Sequence, residues 1–278
     1  MNINQAMGLA LNHYEEGYLK EAKLFCERIL EIQEENTDIL QLLGLIHYRF
    51  EEFDVSIQYM EKALRINPNN ADVYFNLGNA FMVTKRYEEA INCFKQAIHL
   101  KPRMVEAYNL LGNALKEKGD LDQAIQCFEE AVRIKPGFFT AYCNIGDSLL
   151  QIEQYDEALM YYQKALQFNP YLDHVQNNMG VILHKRGQYD EAINCYQKAF
   201  EINSYNIEAY NNLGLSLYEK GTIDEAITYF QKAIQLNPKY ANAYLNLGFA
   251  FERLGKLQEA SDCYQKALQL NPNLVIQR

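Results

Sequence analysis

The 278 residues contain no tryptophan, only five histidines and six prolines, and fewer basic than acidic side chains, 26 Lys and Arg against 36 Asp and Glu. Each shortage excludes something. A formal net charge of −10 is the wrong sign for displacing counterions from phosphates, so no nucleic-acid partner is expected. Acidity of this size serves solubility and favours neutral or basic partners. No apolar run approaches the roughly 18 residues of a bilayer-spanning helix, so no membrane insertion is expected. Met1-Asn2-Ile3-Asn4-Gln5 lacks the basic and apolar regions of a signal peptide, and the expected compartment is the cytoplasm. His13, His47, His99, His174 and His184 include no i, i+4 pair for a metal ion, and no glycine-rich loop is placed to cradle phosphate. Catalytic residues, metals and cofactors are therefore not expected, and the chain does not read as an enzyme.

The residues that are present recur with one period. From Ile3 onward, eight units of 34 residues follow without a gap to Leu274. All six prolines share one phase (Pro68, Pro102, Pro136, Pro170, Pro238, Pro272), with Ser204 in the vacant place. Gly44, Gly78, Gly112, Gly146, Gly180, Gly214 and Gly248 share a second. Alanine holds two more, one running from Ala90 to Ala260 and one from Ala63 to Ala267. Cys93, Cys127, Cys195 and Cys263 also share a phase. Equivalent positions in stacked helical units lie about 10 Å apart, too far for a disulfide, so these read as small apolar residues on a half-buried face.

Within a unit the periodicity is helical. In the third, Val73, Tyr74, Leu77 and Phe81 form one stripe, and Tyr87, Ala90, Ile91, Phe94, Ala97 and Ile98 form another. Both are the 3.6-residue pattern of a helix with one buried face. Glu88 and Glu89 suit the start of the second helix, as do Asp156-Glu157 and Asp190-Glu191 in later units. Pro102 closes the unit, because proline cannot continue a helix. Gly78, Ala90 and Ala97 fall where the two helices meet, where a larger side chain would hold them apart. One unit is too small to bury its own apolar faces, so stacking completes the core.

Tyr108, Leu111-Gly112, Ala124, Phe128, Ala131 and Pro136 match the motif of the tetratricopeptide repeat, with Tyr in place of the family's usual Trp. The resemblance covers residues 3–274. It implies an all-α, right-handed superhelical solenoid of eight helix-turn-helix repeats whose first helices line a concave groove. Residues 1–36 are a divergent N-terminal capping repeat, with Ala10 and Glu34 where later repeats have Gly and Pro. Seven repeats follow (37–70, 71–104, 105–138, 139–172, 173–206, 207–240 and 241–274), and residues 275–278 would begin a further helix. An array ending there would leave its last face uncapped, with Tyr264, Ala267 and Leu268 exposed.

The resemblance places certain first-helix phases in the groove. One reads Asn76, Leu110, Asn144, Asn178, Asn212 and Asn246; its neighbours add Asn109, Asn177 and Asn211, and Asn79 and Asn113. An Asn amide both donates and accepts, so a row of them suits the backbone of an extended peptide. The row is similar to the asparagine ladder in the repeat domain of O-linked N-acetylglucosamine transferases, although hydrated surface amides are the plainer alternative. Phe75, Tyr218 and Phe249 are the candidate apolar anchors, with packing between neighbouring first helices as their alternative role. The phases where chaperone-binding repeat proteins carry Lys or Arg for a terminal carboxylate hold no basic residue here.

The expectation is a non-catalytic scaffold binding an extended protein or peptide segment. Two alternatives stay open: the substrate-recognition arm of a longer glycosyltransferase or other transferase, and a homo-oligomer assembled through the C-terminal repeat.

Overall fold

A computed structural model describes residues 3–274. The described residues form sixteen α-helices and no strands, consecutive in sequence as eight pairs. The backbone divides into two compact units, one up to Ser148 and one from Leu149. The first unit holds α1 (Ile3–Glu15), α2 (Leu19–Leu30), α3 (Thr37–Arg49), α4 (Phe53–Ile66), α5 (Ala71–Val83), α6 (Tyr87–Leu100), α7 (Val105–Glu117) and α8 (Leu121–Ile134). The boundary falls within α9 (Phe139–Gln151). The second unit continues through α10 (Tyr155–Phe168), α11 (Asp173–Lys185), α12 (Tyr189–Ile202), α13 (Ile207–Lys220), α14 (Ile223–Leu236), α15 (Ala241–Arg253) and α16 (Leu257–Leu270).

The recurring glycine exists because an aromatic ring fills its place. A Cβ built on Gly112 would lie 2.5 Å from Cε1 of Phe128, and one on Gly78 would lie 2.6 Å from Cε1 of Phe94. Gly180 meets Tyr196 at 2.5 Å, Gly214 meets Phe230 at 2.6 Å and Gly248 meets Tyr264 at 2.4 Å. The first four of these rings are fully buried, and the alanines on either side of each, such as Ala124 and Ala131, are fully buried too. Each ring of the second helix is thus pressed onto bare backbone of the first. The N-terminal repeats depart from this pair stepwise, the second changing only the ring and the first changing both partners. Gly44 faces the flexible Met60, while Ala10 shares its buried cluster with Cys26, which stands where later repeats carry the ring.

Helix ends follow local chemistry. Asn36 Oδ1 accepts from Ile39 N at 3.1 Å, Asn70 Oδ1 from Val73 N at 3.2 Å and Asn206 Oδ1 from Ala209 N at 2.9 Å, each satisfying an amide that the first turn leaves open. At the other end, proline is not the sole terminator. Asn67, Asn169, Asn203, Asn237 and Asn271 each accept through Oδ1 from the backbone N–H two residues on, forming an Asx turn. Ser204 therefore follows the same helix end as its proline counterparts, because Asn203 makes the turn.

Asp156 and Asp190 do more than suit the helix dipole. Arg186 donates to Asp156 at 2.8 Å, and Lys220 pairs with Asp190, each reaching back from the next repeat. Such exposed pairs are worth about 0–1 kcal/mol each, so they trim register and do not hold the stack. Of the three residues expected to be exposed at the C-terminal face, only Leu268 is. Ala267 is buried, and Tyr264 is half-buried over Gly248 with its hydroxyl donating to Glu252 at 2.6 Å. The expected start of a further helix at 275–278 lies outside the described residues.

Replacing Gly112 with Ala pushes a methyl into the Phe128 ring, a strain that outweighs the better helix propensity of Ala. The expected loss in urea unfolding is about 1–3 kcal/mol. Adding Phe128→Leu should make the glycine substitution cheaper, and a double-mutant cycle with no coupling would refute the contact as the cause.

Candidate functional site

In each unit the first helices of successive repeats touch: α1 with α3, α3 with α5, α5 with α7, and likewise α11 with α13 and α13 with α15. Within each unit, second helices of successive repeats come into no such contact among the described residues. The first-helix side is therefore the tighter, inner side of each unit, and the candidate residues lie along it.

The asparagines separate into two layers. Asn76, Asn144, Asn178, Asn212 and Asn246 are partly exposed, as are Asn79 and Asn113. Asn109, Asn177 and Asn211 are buried, at 7, 4 and 4% exposure. Each buried amide is used by the next repeat. Asn144 Nδ2 donates to Asn109 Oδ1 at 2.8 Å, Asn212 Nδ2 to Asn177 Oδ1 at 3.1 Å, and Asn246 Nδ2 to Asn211 Oδ1 at 2.9 Å. Asn109, Asn177 and Asn211, expected along a partner, are thus placed beneath the surface, with their acceptors holding the partly exposed asparagines of the next repeat. Pairing is compulsory there, since a buried amide without a partner costs about 1–3 kcal/mol.

In the second unit these bonds join into a chain. Asn246 donates to Asn211, Asn211 Nδ2 to Asn212 Oδ1 at 3.5 Å, Asn212 to Asn177, Asn177 Nδ2 to Asn178 Oδ1 at 3.4 Å, and Asn178 Nδ2 to Tyr162 Oη at 3.4 Å. The 35-residue links are short and the links within a helix are long, so the inter-repeat bonds dominate. Asn113 Oδ1 is buried without a hydrogen-bond partner.

The three apolar anchors are each engaged on one side. Phe75 leans on Phe94 with ring centroids 6.0 Å apart, and Phe249 packs edge-on to Tyr264 at 5.5 Å. Tyr218 lies under the Arg253 guanidinium, 4.9 Å from its ring centre, and Arg253 Nη1 donates to the Tyr218 carbonyl at 3.2 Å. All three keep part of their surface exposed.

The titratable groups are built for packing. Burial pushes the Cys93 thiol up to about 12 and the Cys127 and Cys263 thiols up to about 11. Thiols held protonated at neutral pH are poor nucleophiles and poor metal ligands. Among the described residues no three His, Cys, Asp or Glu side chains are grouped to hold a metal ion. His174 is exposed, whereas His184 is half-buried, with Nδ1 2.9 Å from Ser216 Oγ and its ring edge-on to Tyr189. No helix of the described residues is long and apolar enough to cross a membrane.

Sequence models described as "Tetratricopeptide repeat" match residues 41–137, 139–172, 161–194 and 241–274, and one described as "TPR repeat" matches 180–255. No curated protein matches the chain. Among solved structures, the Cut9 and Hcn1 hetero-tetramer of the APC/C aligns with a TM-score of 0.66 at 20% identity, over 93% of this chain and 51% of that one, a likeness of fold alone. MamA aligns at 25% identity and a TM-score of 0.54, over 58% of this chain and 95% of its own. YrrB, described as a TPR protein with an unusual peptide-binding site, aligns at 26% identity and a TM-score of 0.53, over 65% of this chain and 93% of its own.

Two outcomes follow from this geometry. Asn211→Ala and Asn246→Ala should each destabilise the fold, and the double variant should cost less than their sum by about 0.5–1.5 kcal/mol, the net worth of one hydrogen bond. Additive losses in urea unfolding would mean that the amide pair does not form. Burial holds His184 below its ordinary value, only partly opposed by Glu219, so the folded state prefers the neutral ring. Its stabilising contribution is intact above about pH 6.5 and is lost as pH falls from there towards the folded-state value. The melting temperature of the parent should drop more than that of His184→Gln between neutral pH and pH 5.5; equal drops would remove His184 from the account.

Proposed function

Because the chain belongs to the tetratricopeptide repeat family, we propose that it is a non-catalytic scaffold that holds an extended segment of a partner protein along its first-helix faces. The observation that carries this reading is the set of partly exposed amides at one phase, Asn76 and Asn144 in the first unit and Asn178, Asn212 and Asn246 in the second, with Leu110 interrupting it. Asn144, Asn212 and Asn246 are each braced from beneath by a buried amide. A braced amide has its rotamer fixed before the partner arrives, which lowers the ordering cost of binding. The inter-repeat bond takes one N–H of each braced side chain and leaves the other, so the row still offers groups to a peptide backbone. YrrB, with its described peptide-binding site, supports the same use of the fold. The row is read as similar to the asparagine ladder of the O-linked N-acetylglucosamine transferases.

The amides do not suffice alone. Each net hydrogen bond contributes about 0.5–1.5 kcal/mol, while fixing one peptide residue costs about 1–2 kcal/mol. Apolar contacts must supply the difference, and the exposed parts of Phe75, Tyr218 and Phe249 are the anchors along this face.

The test is a selection from a displayed library of random extended peptides on the full chain, followed by affinity measurements on the enriched sequences. Replacing Asn144, Asn178 and Asn212 with Ala should weaken them by at least about tenfold, the equivalent of one to three lost hydrogen bonds. The same substitutions remove two inter-repeat amide pairs, so affinity is read at a temperature where circular dichroism shows the variant folded. Unchanged affinity in the folded variant would sink the reading.

A further inference from the structure

The amide row does not extend into the first two repeats. The phase that carries Asn76 and Asn144 reads Gly8 and Leu42 there, and the phase of Asn79 and Asn113 reads Leu11 and Leu45. The structure shows what that change builds. Between α1 and α3 lies a pocket of about 360 Å³, lined by Met7, Leu11, Ile39, Leu42 and Leu45, with Gly8 withholding a side chain from its wall. A Cβ on Gly8 would meet nothing within 4 Å, so this glycine is not demanded by helix packing as Gly78 and Gly112 are. Leu11 is 48% exposed, an aliphatic group left in water on the inner side of the unit. The volume falls within the range of about 300–1,000 Å³ typical of ligand sites.

The charge of the site is one-sided. Asp38, in the first turn of α3, is the one charged residue lining the pocket. The first fifty residues carry eight acidic side chains against four basic ones. Two of those four are committed elsewhere: Lys23 lies 3.8 Å from Glu27, and the Arg49 guanidinium stands 4.9 Å over the Tyr14 ring. An apolar cavity rimmed by an exposed carboxylate in an acidic field favours a partner whose aliphatic group is followed by a cation.

We propose that the pocket between α1 and α3 is an anchor site for an aliphatic side chain followed by Lys or Arg in an extended partner segment, with Asp38 pairing the cation. This rests on the peptide-binding reading above and adds the class of sequence that the N-terminal repeats select. Gln41 also lines the pocket, its Oε1 accepting from Asn70 Nδ2 at 3.4 Å. Asn76 and Asn79 on α5 hold the phases of Leu42 and Leu45 one repeat on, ready for the backbone beyond the anchor.

The full chain, carrying labelled Met and Leu methyl groups, would be titrated with three probes and read by NMR: N-acetyl-Leu-Arg-amide, N-acetyl-Leu-Glu-amide and N-acetyl-Ser-Arg-amide. The Leu-Arg probe should shift the methyls of Met7, Leu11, Leu42 and Leu45 saturably, with an affinity about fivefold above that of Leu-Glu, as one exposed ion pair supplies. Leu11→Asn, a change at an exposed position that the fold tolerates, should abolish the shifts, and Asp38→Asn should level the two leucyl probes. Still methyls, equal response to the Ser-Arg probe, or a preference that survives Asp38→Asn would overturn the proposal. These probes are too short to engage the amide row. If they fail while longer selected peptides still depend on Asn144 and Asn212, the pocket falls and the row stands. If they bind while no peptide depends on those asparagines, the row falls and the pocket stands.

Discussion

Space for one methyl group governs this molecule. Where the ring of Phe128 rests on Gly112, no side chain of the first helix holds the ring of the second away, and the same contact recurs at Gly78, Gly180, Gly214 and Gly248. The contact is between two residues, so a side chain can replace the glycine only where the ring is also gone, as in the first repeat. Met60, with a flexible end, lies over Gly44, and Cys26 leaves room for Ala10. A repeat lacking the glycine is thus not a damaged one; its second helix has given up the ring that needed the space.

Neighbouring first helices bring amides of successive repeats within hydrogen-bond reach. Asn109, Asn177 and Asn211 sit where a hydrophobic residue would be ordinary, and Cys143 and Leu245 hold the same phase elsewhere. Burying an amide costs free energy unless it is paired, and the partner supplied is the exposed asparagine of the next repeat. The surface row and the buried row are therefore one construction. Its stability depends on the neighbour being an asparagine, and the orientation of that neighbour depends on the buried amide.

The 34-residue period and the helical stripes within it were enough to read the all-helical repeat fold, because glycine, alanine and proline each recur for reasons local to one unit. The burial of individual asparagines was not legible. Asn177 and Asn178 are adjacent on one helix, and which of them is covered depends on how α11 meets α13, a distance that no single helical stripe encodes. Proline hid a second signal in the same way. It marked the helix ends so regularly that the asparagine before it, which closes the turn even ahead of Ser204, went unread. The pocket between α1 and α3 escaped for the opposite reason. Leu11 and Leu45 look like ordinary core residues until the structure shows one of them half in water.

Fold and recognition occupy different phases of the same helix, and this separation allows the inner face to change chemistry along the chain. The glycine that receives the ring and the inner-face residues proposed to meet a partner lie one or two positions apart on each first helix, so they point to different sides of it. Exchanging the partly exposed Leu45 for the asparagine found one repeat later changes what the surface offers and leaves the Gly44 contact untouched, whereas Leu42 belongs to the buried core of the first two repeats. An exchange at Asn177 or Asn211 has no such freedom, since those side chains belong both to the interior and to the support of the surface row. The inner face can therefore change at exposed, unbraced positions such as Leu11 and Leu45 one residue at a time, whereas among the braced asparagines of the second unit it can change only in pairs.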